Sequence, residues 1–358
     1  MSGDSENNKI RVLVVDDSAL MCRQIAGILN EDDKIEVVGQ AKDGIEAMRL
    51  VGTLRPDVVT LDVEMPKMSG ITALKHIMVR HGVPTVMISA LTKEGARTTF
   101  DALRYGAIDV IAKPSRREDD SLEAQKEDII AKVRRAAAIR TGRSRYIRMT
   151  IPPPPQKKGS TGSDSSSRFI GIGAGTGGYY ALLRIVPALP ADFKGTLMAV
   201  VLVAARYVEP FVSYLDTHSQ VRVKSIQGVT APEPGVCYIC SGEYGAVLQE
   251  VGEGKLTLAP GKAARNGNEG PIDSMLTSLA AVGERAVGIV MTGAGKDGAE
   301  GIAAIRRSGG TGVVQDINNA IDPSMPLAVL ERGSVEKILP DYLMAEFIMK
   351  VHTLENAG

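Results

Sequence analysis

Short, uniformly apolar runs separated by amphipathic stretches recur along most of the 358 residues. In the first third they fall at 10–15, 35–38, 58–61, 85–88 and 110–112. A strand with one face in water alternates apolar and polar side chains, whereas a strand covered on both faces is apolar throughout. The runs therefore predict a five-stranded parallel sheet with helices on both faces, closed by a fifth helix over about 122–138. From residue 168 the same alternation resumes, with strands expected at 169–172, 198–203, 222–226, 287–291 and 312–314. The stretch 235–259 reads instead as hairpin-like strands around Gly252-Glu253-Gly254. The second sheet is thus expected to be doubly wound and mainly parallel, with a small antiparallel addition.

Between the two α/β units the composition changes. Residues 139–167 pass from Arg-Thr-Gly-Arg-Ser-Arg through Pro152-Pro-Pro-Pro155 to a Gly/Ser tract ending at Ser167. Such a segment buries too little apolar surface to offset its ordering entropy, and its prolines favour extended polyproline II. The expected organisation is a domain over 1–138, a linker over 139–167 and a second domain over 168–358. Lys plus Arg (42) equals Asp plus Glu (42), so no basic field for nucleic acid is expected. No apolar run is long enough to span a bilayer, and Met1–Lys9 lacks the apolar core of a signal peptide. Cys22, Cys237 and Cys240 form no disulfide framework, which suits a reducing cytoplasm.

Three strand ends of the first unit carry charge. Strand one runs into Asp16-Asp17, strand three into Asp62 and strand five into Lys113-Pro114. Ligands of open parallel sheets bind outside the carboxyl ends of the strands. Three carboxylates converging there repel one another unless a hard cation holds them, and Mg²⁺ suits a site of few carboxylates and several waters. Lys113 can balance the remaining charge, and Ser89, closing strand four, offers a hydroxyl. The set suits an aspartate that accepts a phosphoryl group.

Val14-Val-Asp-Asp-Ser18, Leu61-Asp-Val-Glu-Met-Pro66, Met87-Ile-Ser-Ala90 and Ala112-Lys-Pro114 resemble the motifs of two-component receiver domains over residues 9–138. The resemblance implies a flavodoxin-like fold, Asp62 as phosphoacceptor, and Asp16, Asp17 and the Glu64 backbone carbonyl as Mg²⁺ ligands beside Asp62. Ser89 and Lys113 would be the switch residues. The aromatic that such domains often carry three positions before the lysine is here Val110.

In the second unit, Phe169-Ile-Gly-Ile-Gly-Ala-Gly-Thr-Gly-Gly178 reads as a strand, a tight glycine turn and a helix start. Gly173–Gly178, Leu189-Pro-Ala-Asp-Phe193, Ile289–Gly301, and residues 309–315 followed by Met325-Pro326 are similar to the chemotaxis protein-glutamate methylesterase (CheB) family, from 168 to about 351. That family hydrolyses γ-glutamyl methyl esters and deamidates glutamines on chemoreceptor helices through a Ser-His-Asp triad, and phosphorylation of its receiver relieves inhibition. On the matching positions, the serine is Gly175, the histidine is Ala205 within Ala204-Ala205-Arg206, and the aspartate is Asp297. Ala294 replaces a methionine, and Glu269-Gly270 replaces a His-Arg pair. Acyl transfer needs an activated nucleophile and a base, and neither position supplies one.

Substitutes are weak. His218 and His352 are expected at the surface, away from the turn. Thr176 adjoins the missing serine, but for a neighbouring turn position to point correctly would be fortuitous. Cys237-Tyr-Ile-Cys240 has the spacing of a metal or redox pair, yet residues three apart in a strand face opposite sides. Gly173–Gly178 satisfies the dinucleotide fingerprint, but no acidic residue ends strand two to hold a ribose. Asp297 is expected to cap the helix it opens, 298–308.

The expected function is that of a bacterial chemotaxis response regulator phosphorylated on Asp62 by a CheA-like histidine kinase. Its methylesterase-like module would bind methyl-accepting chemoreceptors or compete for kinase phosphate. An active methylesterase/glutaminase, and a simple phosphate sink, are the alternatives.

Overall fold

A computed structural model describes residues 9–89, 93–114, 121–139, 168–252, 254–261 and 270–353. They form two compact units, one ahead of and one behind residues 140–167. Beyond Ile139 the expected linker therefore lies outside the described residues, as does Glu269.

The first unit alternates β1 (Ile10–Val15), α1 (Ala19–Asn30), β2 (Ile35–Ala41), α2 (Gly44–Leu54), β3 (Val58–Asp62), α3 (Gly70–Arg80), β4 (Thr85–Ser89), α4 (Lys93–Arg104), β5 (Asp109–Ala112) and α5 (Lys126–Ala138). The strands make one parallel sheet in the order β2-β1-β3-β4-β5. Val12 to Val15 and Val58, Val59 and Leu61 are buried, as expected for strands covered on both faces. Side-chain caps start three of the helices: Ser18 accepts from Met21 N, Asp43 from Glu46 N and Ser69 from Thr72 N. The fifth helix starts later than the pattern predicts, because Glu123–Gln125 form a separate 3-10 turn. Strand order reverses beside β1, so Asp16 and Asp62 leave adjacent strands at the switch point.

The second unit contains β6 (Phe169–Ala174), α6 (Gly178–Ile185), β7 (Thr196–Val201), α7 (Val208–His218), β8 (Arg222–Ser225), β9 (Val236–Ser241), β10 (Ala246–Val251), β11 (Lys255–Pro260), α8 (Pro271–Leu279), β12 (Ala286–Val290), α9 (Ala299–Arg307), β13 (Thr311–Gln315), α10 (Ser324–Glu331), β14 (Lys337–Leu339) and α11 (Asp341–Thr353). Seven strands form a parallel sheet in the order β14-β13-β12-β6-β7-β9-β8, and β10 and β11 pair antiparallel as the expected small addition. One expectation is corrected. Residues 236–241 are not part of a hairpin; β9 lies between β7 and β8, parallel to both and fully buried. Its apolar run Val-Cys-Tyr-Ile-Cys is that of a two-sided interior strand. Strand β7 ends at Val201, short of the predicted 203, and β14 was not foreseen. The switch point of this sheet lies between β6 and β12.

Candidate functional site

At the carboxyl edge of the first sheet, one ligand oxygen each from Asp16, Asp17 and Asp62 lies within 4.8 Å of the others. Asp16 and Asp62 are buried, while Asp17 is exposed. Lys113 Nζ reaches across from β5, 2.9 Å from Asp16 Oδ2 and 2.8 Å from Asp62 Oδ2. Burial pushes the Asp62 carboxyl up to about 6, even though Lys113 draws it down. For Lys113, burial works against the charge, but hydrogen bonds to Asp62 and Asp16 hold its pKa above the ordinary value. Ser89 closes the neighbouring strand β4, and its carbonyl accepts the Lys113 N–H at 2.8 Å. Every side chain singled out from the strand ends is thus delivered to one edge.

The donor set is hard oxygen throughout, with one cation among three carboxylates, and this fits Mg²⁺. Two details escape sequence reasoning. The Glu64 backbone faces the Asp62 carboxylate and draws its pKa down. The Val110 carbonyl, at the position lacking an aromatic, accepts from Lys132 Nζ of α5 at 2.7 Å.

In the second unit the loops leaving β6 and β12 face each other across the switch point. Gly175 N donates to the Thr292 carbonyl at 2.8 Å. Thr292 Oγ1 donates to the Thr176 carbonyl at 2.9 Å and accepts from Asp322 N at 2.8 Å, stitching three loops together. This packing leaves Gly175 no room for a side chain. A Cβ there would sit 2.8 Å from the Gly293 Cα and 3.3 Å from the Met325 Sδ. Ala205 follows the adjacent strand β7 at the same edge, opening a 3-10 turn with its methyl group as its only side-chain chemistry.

Asp297 does not cap the helix it precedes. Its two oxygens accept from Ile272 N (3.1 Å) and Asp273 N (2.8 Å), the first turn of α8. Asp273 returns the favour, accepting from Gly301 N in the first turn of α9 at 2.8 Å. Each carboxyl caps the other's helix, and desolvation raises both, Asp273 to about 6. Gly270 lies so close that a Cβ would fall 2.2 Å from the Asp297 carboxyl carbon. Lys296, Glu300, Glu331 and Arg332 are the charged walls of a crevice of about 460 Å³ over this pair. Asp273 was missed, although a Gly-Pro-Ile-Asp start to a helical pattern marks an acidic first turn.

Of the other substitutes considered from sequence, His218 and the two cysteines of β9 stay elsewhere. His218 ends α7, which runs back from the carboxyl edge. It is half-buried rather than superficial, stacked on Tyr214 with Nδ1 2.8 Å from the Tyr214 carbonyl. The side chain of His352 lies outside the described residues. Cys237 and Cys240 are both buried in β9, and desolvation pushes their thiols up to about 12 and about 11, which makes them inert.

Comparison with known proteins agrees with both units. Residues 12–124 match the response regulator receiver domain, and residues 170–348 match the CheB methylesterase domain. A protein-glutamate methylesterase/protein-glutamine glutaminase of Pyrococcus horikoshii is 40% identical over 352 residues, covering 98% of this chain and 95% of that protein. A protein of the same name from Koribacter versatilis is 36% identical, covering 94% and 96%. Among solved structures, the Thermotoga maritima CheB methylesterase catalytic domain is 27% identical and covers 52% of this chain and all (100%) of that one, with a TM-score of 0.49. No helix among the described residues is long and apolar enough to cross a membrane. With a receiver domain ahead of a methylesterase domain, and relatives matched along nearly its full length, the chain belongs to the CheB methylesterase family.

Proposed function

We propose that this chain is a chemotaxis regulator that takes a phosphoryl group on Asp62 and acts through binding, its methylesterase domain being catalytically silent. The receiver half of the reading rests on the convergence of Asp16, Asp17, Asp62 and Lys113 at one sheet edge. The Asp62 carboxylate forms the new O–P bond as the N–P bond of a phosphohistidine on a CheA-like kinase breaks, the imidazole nitrogen keeping the bonding pair. Lys113 then shifts its hydrogen bonds toward the phosphoryl oxygens, and the Ser89 hydroxyl approaches from β4. Asp16, Asp17, Asp62 and the Glu64 carbonyl would hold Mg²⁺, which offsets phosphoryl charge when bound.

The observation that carries the silent half is Gly175. It has no nucleophile to offer, and the Gly293 backbone fills the space where one would stand. Ala205 supplies no base, and both oxygens of Asp297 are engaged by backbone N–H groups of α8. What this domain retains is a surface for the cytoplasmic helices of methyl-accepting chemoreceptors. The second reading, an active protein-glutamate methylesterase/glutaminase, is favoured by the name that its relatives carry. Affinity for a chemoreceptor cytoplasmic fragment should rise or fall with acetyl phosphate in the full chain and be lost on deleting 168–358. Binding unchanged by that deletion contradicts the docking role and leaves competition for kinase phosphate. Asp62→Asn should abolish phosphorylation in every case.

A further inference from the structure

The segment between Asp62 and α3 bears directly on the phosphoacceptor, because it folds back against it: a Cβ at Gly70 would fall 1.9 Å from the Asp62 carbonyl oxygen. At its base, Gly70 N donates to the Val63 carbonyl at 3.0 Å. At its tip stands Lys67, a non-glycine residue with φ of 62°, a left-handed conformation that L side chains rarely adopt. Lys67 Nζ donates to Asp43 Oδ2 at 2.7 Å, and Met68 packs over Gly44 beside it. The anchor is a rigid one. Asp43 Oδ1 caps α2 through Glu46 N (2.9 Å), while Glu46 Oε2 accepts from Lys42 N (3.1 Å), the residue just before the cap. Asp43 thus divides its oxygens, one to the helix and one to the loop.

We propose that the Lys67–Asp43 pair is a positioning latch that holds the 63–69 loop against Asp62, so that the Glu64 carbonyl is presented to the metal. The inference rests on the receiver reading above and assigns to it two residues outside the charged cluster. Asp43 is nearly fully buried, and Lys67 holds its carboxyl below the usual carboxylate range. The contact therefore persists at neutral pH. Without it the left-handed Lys67 loses its compensating interaction, and the loop is free to relax away from Asp62.

The test is calorimetric titration of the full chain with Mg²⁺ alone, alongside phosphorylation by acetyl phosphate at limiting Mg²⁺. Asp43→Asn keeps the helix cap and removes the charge, so the fold survives. Asp43→Asn and Lys67→Met should each weaken Mg²⁺ binding by about two- to fivefold. The double variant should be no weaker than either single one, and Lys67→Arg should restore the wild-type value. Melting temperatures should move little. Mg²⁺ affinity unchanged in both single variants, or strictly additive losses in the double, overturns the latch. A wild type that neither binds Mg²⁺ nor is phosphorylated overturns the receiver reading itself, as does an Asp62→Asn variant phosphorylated as fast as wild type.

Discussion

At the scale of single residues, the two domains differ in what their strand ends retain. Asp16, Asp62 and Lys113 were legible because each ends an apolar run, and open parallel sheets bring such ends together. Gly175 was legible as an absence, but the space around it was not, since no sequence pattern shows that Gly293 and Met325 close over it. Gly175→Ser is expected to cost about 1–3 kcal/mol of stability through overpacking, measured as a fall in the urea midpoint. A neutral or stabilising effect would contradict the close packing around Gly175. Gly270→Ala should be at least as damaging, because its Cβ would strike the Asp297 carboxyl and displace it from the α8 N–H groups.

At the scale of elements, the crossed caps of α8 and α9 are the feature that sequence reasoning placed wrongly. Proximity in sequence suggested that Asp297 caps 298–308. Gly298 at φ of 100° turns the chain so that the carboxylate faces the start of α8 instead. Which helix end stands before a carboxylate is a tertiary fact. A similar limit applied to β9, whose pairing with β7 and β8 is long-range, whereas the antiparallel β10 and β11 obeyed their turn.

The crossed pair has a pH signature. Burial lifts Asp273 from 3.8 to about 6, so the folded state favours its neutral form. That contribution is fully present below pH about 4, declines as pH rises to about 6, and is absent above, a span of about 2–3 kcal/mol. Asp273→Asn should therefore flatten the loss of stability between those pH values in urea titrations. An unchanged slope would show that Asp273 does not titrate there.

At the scale of the whole molecule, each unit has its own sheet and core. Calorimetry should resolve two transitions, with Mg²⁺ at about a hundredfold over its Kd raising the receiver transition by about 10 °C and leaving the other in place. A shift shared by both transitions would contradict confinement of the metal to the first unit. The architecture of both units was readable from apolar periodicity, and the family from motifs on the strand ends. The proposed use of the second unit rests on Gly175 and Ala205, whose identities the sequence shows but whose packing it does not.

On the proposed function the CheB-type domain of this chain does not hydrolyse esters, and methanol release from methylated chemoreceptor tests this directly. With acetyl phosphate and Mg²⁺ present and phosphorylation of Asp62 verified, release should stay at the level of a no-protein control. Methanol release that rises on phosphorylation and disappears in Asp62→Asn would contradict the account and establish a working esterase built without a serine at 175.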